Sequence, residues 1–164
     1  MAYGEGDRGV GGWLAFFLVT LGIIGPIFFI VTGYIALSDP SMPLAYGDVW
    51  PSLLTAEIIL MMTVVAISWF AAWRLLKVFN WTSVRIAIAS LWALAFLTVF
   101  GEALIVSTIS GLELGMLLDV SAGPELVRPF IYATVWTLYL LLSKRVRNTY
   151  SGLADEKGVT EVFQ

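Results

Sequence analysis

The sequence predicts an all-α integral membrane protein, a bundle of four transmembrane helices with both termini on the cytoplasmic side. Three observations lead there. The 164 residues are 59% hydrophobic and only 13% charged, with a mean hydropathy of +0.89. Soluble domains are roughly half apolar and about a quarter charged, so the surplus here needs an apolar solvent. Four apolar runs each reach the length of about 17–25 residues that a spanning helix requires. Finally, the nine Lys and Arg residues divide eight to one between the two ends of those runs.

The first run, residues 13–37, has no charge. Gly11-Gly12-Trp13-Leu14 leads into it and reads either as an interfacial elbow that sets the depth of the helix or as a binding turn. The run is longer than the about 7–15 apolar residues of a signal peptide and leaves without a small-residue cleavage pattern, so it is expected to be retained. Gly22, Gly25 and Pro26 (GIIGP) should kink it, because proline removes a backbone donor and crowds the preceding turn. Such a kink serves packing, or marks a discontinuous helix that binds an ion or substrate.

Residues 38–51, SDPSMPLAYGDVWP, hold three prolines and are expected to form an irregular loop on the membrane surface. The second run, residues 53–73, contains Glu57. The third, residues 84–108, contains Arg85 at its start and Glu102 near its end. In residues 109–124, Leu112, Met116, Leu117 and Leu118 could share a face opposite Glu113 and Asp119, as in a short interfacial helix between helices three and four. Gly111 and Gly115 form a GxxxG there, but outside a span it says little about helix dimerisation. The fourth run, residues 126–142, lies at the short limit and begins with Arg128 in its first turn. Residues 1–150 thus make one domain, and 151–164 a short mobile tail.

Orientation follows from where the cations sit. With four spans, Arg8, Arg74, Lys77, Arg85, Lys144, Arg145, Arg147 and Lys157 share one side, and Arg128 is alone on the other. By the positive-inside rule the basic side is cytoplasmic. Most of the seven Trp and six Tyr fall at span ends, as in an aromatic belt.

Glu57, Glu102 and Arg128 are the charges that cost something. At 1.5 Å per residue Glu57 lies about 6 Å, and Glu102 about 9 Å, below the outer interface, with Arg128 at similar depth. Ionisable groups in hydrocarbon cost about 2.5–3.5 kcal/mol each at the bilayer centre and normally face a partner. An Arg fork can hold one carboxylate or bridge two, so Arg128 is expected to pair with Glu102, Glu57 or both. Two Glu against one Arg leave a surplus negative charge, to be met by a proton, a polar group or a cation. The cluster reads as a static clamp, as three side chains snorkelling separately, or as a proton, cation or ligand site.

The chain has no Cys and no His. That removes disulfides, thiolate and imidazole metal sites, and nucleophilic sets built on Cys or on Ser-His-Asp. No catalytic set, metal site or cofactor is expected. A net charge of −3 argues against nucleic acid as a partner.

Residues 9–14, GVGGWL, and 128–150, RPFIYATVWTLYLLLSKRVRNTY, resemble the two ends of a bacterial family of small four-helix inner-membrane proteins, domain of unknown function 2569. Arg128, Trp136, Tyr139, Ser143, Lys144, Arg145, Val146, Asn148 and Thr149 fall on its terminal pattern, with Arg147 in place of Lys and Tyr150 in place of Phe. The resemblance implies four helices and residence in the bacterial inner membrane. It implies no activity. Within SKRVRNTY, Ser143, Asn148 and Thr149 would cap the helix end or bond the basic side chains. Alternatively, Lys144, Arg145, Arg147 and Asn148 form a docking site for anionic lipid or protein.

Three functions remain in view. The first is a non-catalytic accessory subunit that docks on a larger inner-membrane complex or associates with itself, using small residues such as Ala71, Ala72, Ala87, Ala89, Ser90, Ala93 and Ala95 for close packing. The second is a small proton or cation transporter using Glu57 and Glu102. The third, a membrane enzyme acting on lipid or isoprenoid, has the least warrant, because the acids are sparse.

Overall fold

The computed structural model describes residues 9–118 and 123–150, apart from the side chains of 124 and 125. The expectations that fell on Arg8, Asp119, Lys157 and the tail of residues 151–164 lie outside the described residues. All regular structure within them is helical.

The first long helix is α1 (Trp13–Val19), a π-helical turn (Thr20–Ile24) and α2 (Gly25–Leu37) in series. The second is preceded by α3 (Ser41–Tyr46) and a 3₁₀ turn (Gly47–Val49), which lead without a break into α4 (Trp50–Lys77). The third joins α5 (Trp81–Phe96) to α6 (Glu102–Ser110) through a second π-helical turn, Leu97–Gly101. A single turn, α7 (Leu114–Leu117), precedes α8 (Gly123–Leu142), and α9 (Lys144–Tyr150) closes the described chain. Three of these helices, Trp13–Leu37, Ser41–Lys77 and Trp81–Ser110, are long and apolar enough to cross a membrane. A fourth qualifies if residues 126–142 and α9, bent by 66° at Ser143, count as one span.

The expected kink in the first helix takes the form of the π turn. Gly25 N–H bonds Thr20 O, five residues back, and a Cβ at Gly25 would lie 2.8 Å from that oxygen. Glycine is therefore required there. Pro26 occupies the first turn of α2, where a missing donor is tolerated, but together with the register slip it strips the partners from two carbonyls behind it. The second helix supplies them: Ser68 donates to Leu21 O, and Trp69 Nε1 donates to Gly22 O at 2.9 Å. In an apolar solvent an unpaired carbonyl has no water to turn to, so these two bonds hold the bend against α4.

Residues 41–51 are helical after a turn at 38–40, where an irregular loop was expected over 38–51. Pro40 is the N-cap residue of α3, Pro43 sits in its first turn, and Pro51 in the first turn of α4, so each proline falls where a helix lacks a donor requirement. Asp39 accepts the Ser41 N–H at 2.8 Å, and this bond, with the Ser41 hydroxyl, holds its carboxyl below the usual carboxylate range. Between the third helix and α8 the expected interfacial helix is one turn long, with Glu113 at its N-cap and Met116 71% exposed. Gly111, at φ +72°, ends α6 in the left-handed conformation.

The core is concentrated at one end. That end, here termed the terminal end, carries the start of α1, the Lys77–Trp81 turn and α9. Leu14, Phe17, Leu75, Val84, Ala87 and Leu140 are fully buried there. Among the small residues, Ala71, Ala72, Ala87, Ser90 and Ala95 are buried, whereas Ala89 is exposed. Lipid gives helices no hydrophobic reason to associate, so close contact of small side chains is what holds such packing.

Candidate functional site: a cavity system at the distal end

The opposite, distal end holds Leu37, Trp50, Ser110 and the start of α8, and there the helices separate. Three adjoining cavities lie between them, all bordered by Phe29 of α2 and Thr98 of the second π turn. The innermost, about 340 Å³, is lined mainly by apolar side chains, including Val64, Val65, Leu91, Leu94 and Ala95. Its polar atoms come from Thr20, Ser68, Thr98, Tyr132 and, at one edge, Arg128. The second, about 460 Å³, is lined by Glu57 and Glu102 beside Tyr46 and Trp50, whose rings stack with centroids 6.2 Å apart. The third, about 480 Å³, is lined by Glu102 and Arg128.

Local structure explains how the charges arrive. The π turn ends at Gly101, where a Cβ would lie 3.0 Å from Leu60 Cδ1, so glycine lets the third helix approach α4 closely. Leu60 is one turn from Glu57, and Glu102 follows Gly101 directly, so that contact sets the two glutamates on one cavity. The inserted residue of a π turn also rotates everything after it, and such turns are frequent at functional sites. Glu57 is half-buried, while Glu102 and Arg128 are exposed. Glu57 Oε1 is buried and has no hydrogen-bond partner.

The structure thus brings Glu57 and Glu102 to one cavity, and Glu102 and Arg128 to the next. Arg128, expected to pair with one or both glutamates, borders two cavities and shares the second of them with Glu102. Gly25 and Pro26 line the apolar cavity, whereas Gly22 lies against Ala72. Sequence reading overlooked Thr98, Phe29 and Ser68. Pro26 orphans Gly22 O, four residues earlier, which signals that some donor must come from another helix; Trp69 fills that role and Ser68 meets Leu21 O, and neither identity is marked in the sequence.

Lys144, Arg145, Arg147 and Asn148 lie at the other end of the molecule. The 66° bend folds α9 back so that Val146 and Tyr150 are buried, with Tyr150 OH donating to Leu75 O at 2.7 Å. Ser143 Oγ accepts the Val146 N–H at 3.4 Å at the start of α9. Thr149 Oγ1 accepts the Gly9 N–H at 3.1 Å and donates to Arg145 O at 2.8 Å. A Cβ at Gly11 would lie 2.7 Å from Arg145 Nη1, and Gly12 has φ +55°, so the glycines of the entry let the guanidinium lie against the backbone. Lys144, Arg147 and Asn148 remain exposed.

The two sequence stretches that carry the resemblance therefore touch in space, through Gly9 and Thr149, 140 residues apart in the chain. No curated protein and no solved structure matches the chain. A family model described as a protein of unknown function (DUF2569) matches residues 7–151, almost the whole sequence including both of those stretches, and the chain belongs to that family.

Proposed function

We propose that this chain is a non-catalytic accessory protein of the bacterial inner membrane. In this reading it crosses the membrane four times, with the terminal end cytoplasmic, and docks laterally on a larger integral membrane complex. The distribution of basic residues supports the orientation. The observation that carries the docking role is the state of α2. It packs substantially only against α4, and Ile27, Phe28, Val31, Tyr34 and Ile35 form a stripe 49–69% exposed along it. A helix with protein on one side, beside a cleft, leaves room for a helix of another subunit.

Photo-crosslinking in cells tests this reading. A benzoylphenylalanine at Val31 or Tyr34 should give a discrete protein adduct, and one at Val135 of α8 should not. Adducts to lipid alone from α2 would count against docking. Proton or cation transport through Glu57 and Glu102 is the second reading, favoured by the two carboxylates on one cavity. Against it, the terminal half is packed by fully buried side chains such as Leu14, Phe17 and Ala87. A flux in liposomes abolished by Glu102→Gln would favour transport over docking.

A further inference from the structure

We propose that the distal cavities bind one phospholipid whose headgroup carries a primary ammonium beside its phosphate, with an acyl chain in the apolar cavity. This goes beyond the docking reading and does not depend on it. The cavities together present three chemistries in order. The innermost, about 340 Å³, is nearly all apolar and falls in the size range of about 300–1,000 Å³ typical of ligand pockets. Arg128 borders that cavity and the next, and a guanidinium is suited to a phosphate through two parallel hydrogen bonds. Beyond it, Glu57 and Glu102 line the adjoining cavity. A headgroup with an anion on the chain side and a cation beyond it matches this order, and a neutral or purely anionic head does not.

The amine is specified by Glu57. Its Oε1 is buried and accepts no hydrogen bond from the protein. A primary ammonium has three N–H donors to offer the carboxylate that lines the cavity, whereas a trimethylammonium of the same charge has none. A hydrogen bond from a cation to a carboxylate is worth about tenfold in binding. The stacked Tyr46 and Trp50 rings flank the same cavity and would contribute to a cation of either kind, so they do not set the choice.

The test uses the full chain, delipidated in detergent and then exposed to phosphatidylethanolamine, phosphatidylcholine or phosphatidylglycerol of identical acyl chains, with bound lipid counted by native mass spectrometry. The expected result is one tightly held phosphatidylethanolamine, preferred about tenfold or more over the other two. Glu57→Leu, which removes both the charge and the acceptor, should bring the ethanolamine-to-choline ratio close to one, and Arg128→Gln should weaken both. Ala95→Leu, which narrows the apolar cavity without touching a charge, should weaken all three and guards against a charge variant that fails to fold. Equal retention of phosphatidylethanolamine and phosphatidylcholine by the unaltered chain would overturn the proposal. So would an ethanolamine preference that survives in a folded Glu57→Leu chain. A protein that binds this lipid yet crosslinks to no partner would sink the docking reading alone.

Discussion

Single atoms decide the shape of the first helix. Gly25 cannot carry a side chain because Thr20 O lies where its Cβ would be, so Gly25→Ala should cost about 1–3 kcal/mol and lower the melting temperature in detergent. Ser68 is buried and donates to a carbonyl that the bend has orphaned. Interhelical hydrogen bonds in membranes average about 0.6 and reach about 1.7 kcal/mol, and the stranded carbonyl places Ser68→Ala near the upper value. Trp69→Phe should cost less, because Trp69 is 57% exposed. The kink residues Gly22, Gly25 and Pro26 were legible in the sequence, since proline and glycine act through their own backbone. The donors were not, because which residue of the second helix meets the bend depends on the depth at which the helices pack.

At the scale of elements, the apolar runs were legible because length and lack of charge are sufficient to mark a helix that needs lipid. What happens between the runs was not. The three prolines of residues 38–51 read as breakers, yet each falls in a first turn or at a cap, a distinction that depends on where the helix starts. The second π turn left no mark in LTVFG, although it determines which way Glu102 faces. Helix contacts here are checkable in a chain that lacks cysteine. A Cβ at Gly22 would lie 3.1 Å from that of Ala72, close to the separation a disulfide spans. The Gly22→Cys, Ala72→Cys double variant should therefore oxidise to an intramolecular crosslink, seen as a shift in gel mobility that reductant reverses. Failure to crosslink would mean that the first helix and α4 do not meet at that level. At the terminal end, Gly11→Ala should displace the Arg145 guanidinium and release the entry segment, read as faster proteolysis near Gly9.

The whole molecule is asymmetric: packed at the end where its described termini meet, open at the end where Glu57, Glu102 and Arg128 line the cavities. Sequence alone placed Glu57, Glu102 and Arg128 at one depth, because depth is counted along each helix. It could not show that they line cavities in sequence, because that requires the rotation of each helix about its axis. The asymmetry makes binding or docking the better account of the fold than passage through it. Substituted-cysteine labelling with a membrane-impermeant thiol reagent, in oriented vesicles of phosphatidylglycerol that lack the lipid proposed for the cavities, tests this most directly. Thr98→Cys, on the wall of all three cavities, should label from the extracytoplasmic side, and Ala87→Cys, in the packed half, should label from neither. Labelling of Ala87→Cys from the cytoplasm, or protection of Thr98→Cys on both sides, would contradict the account.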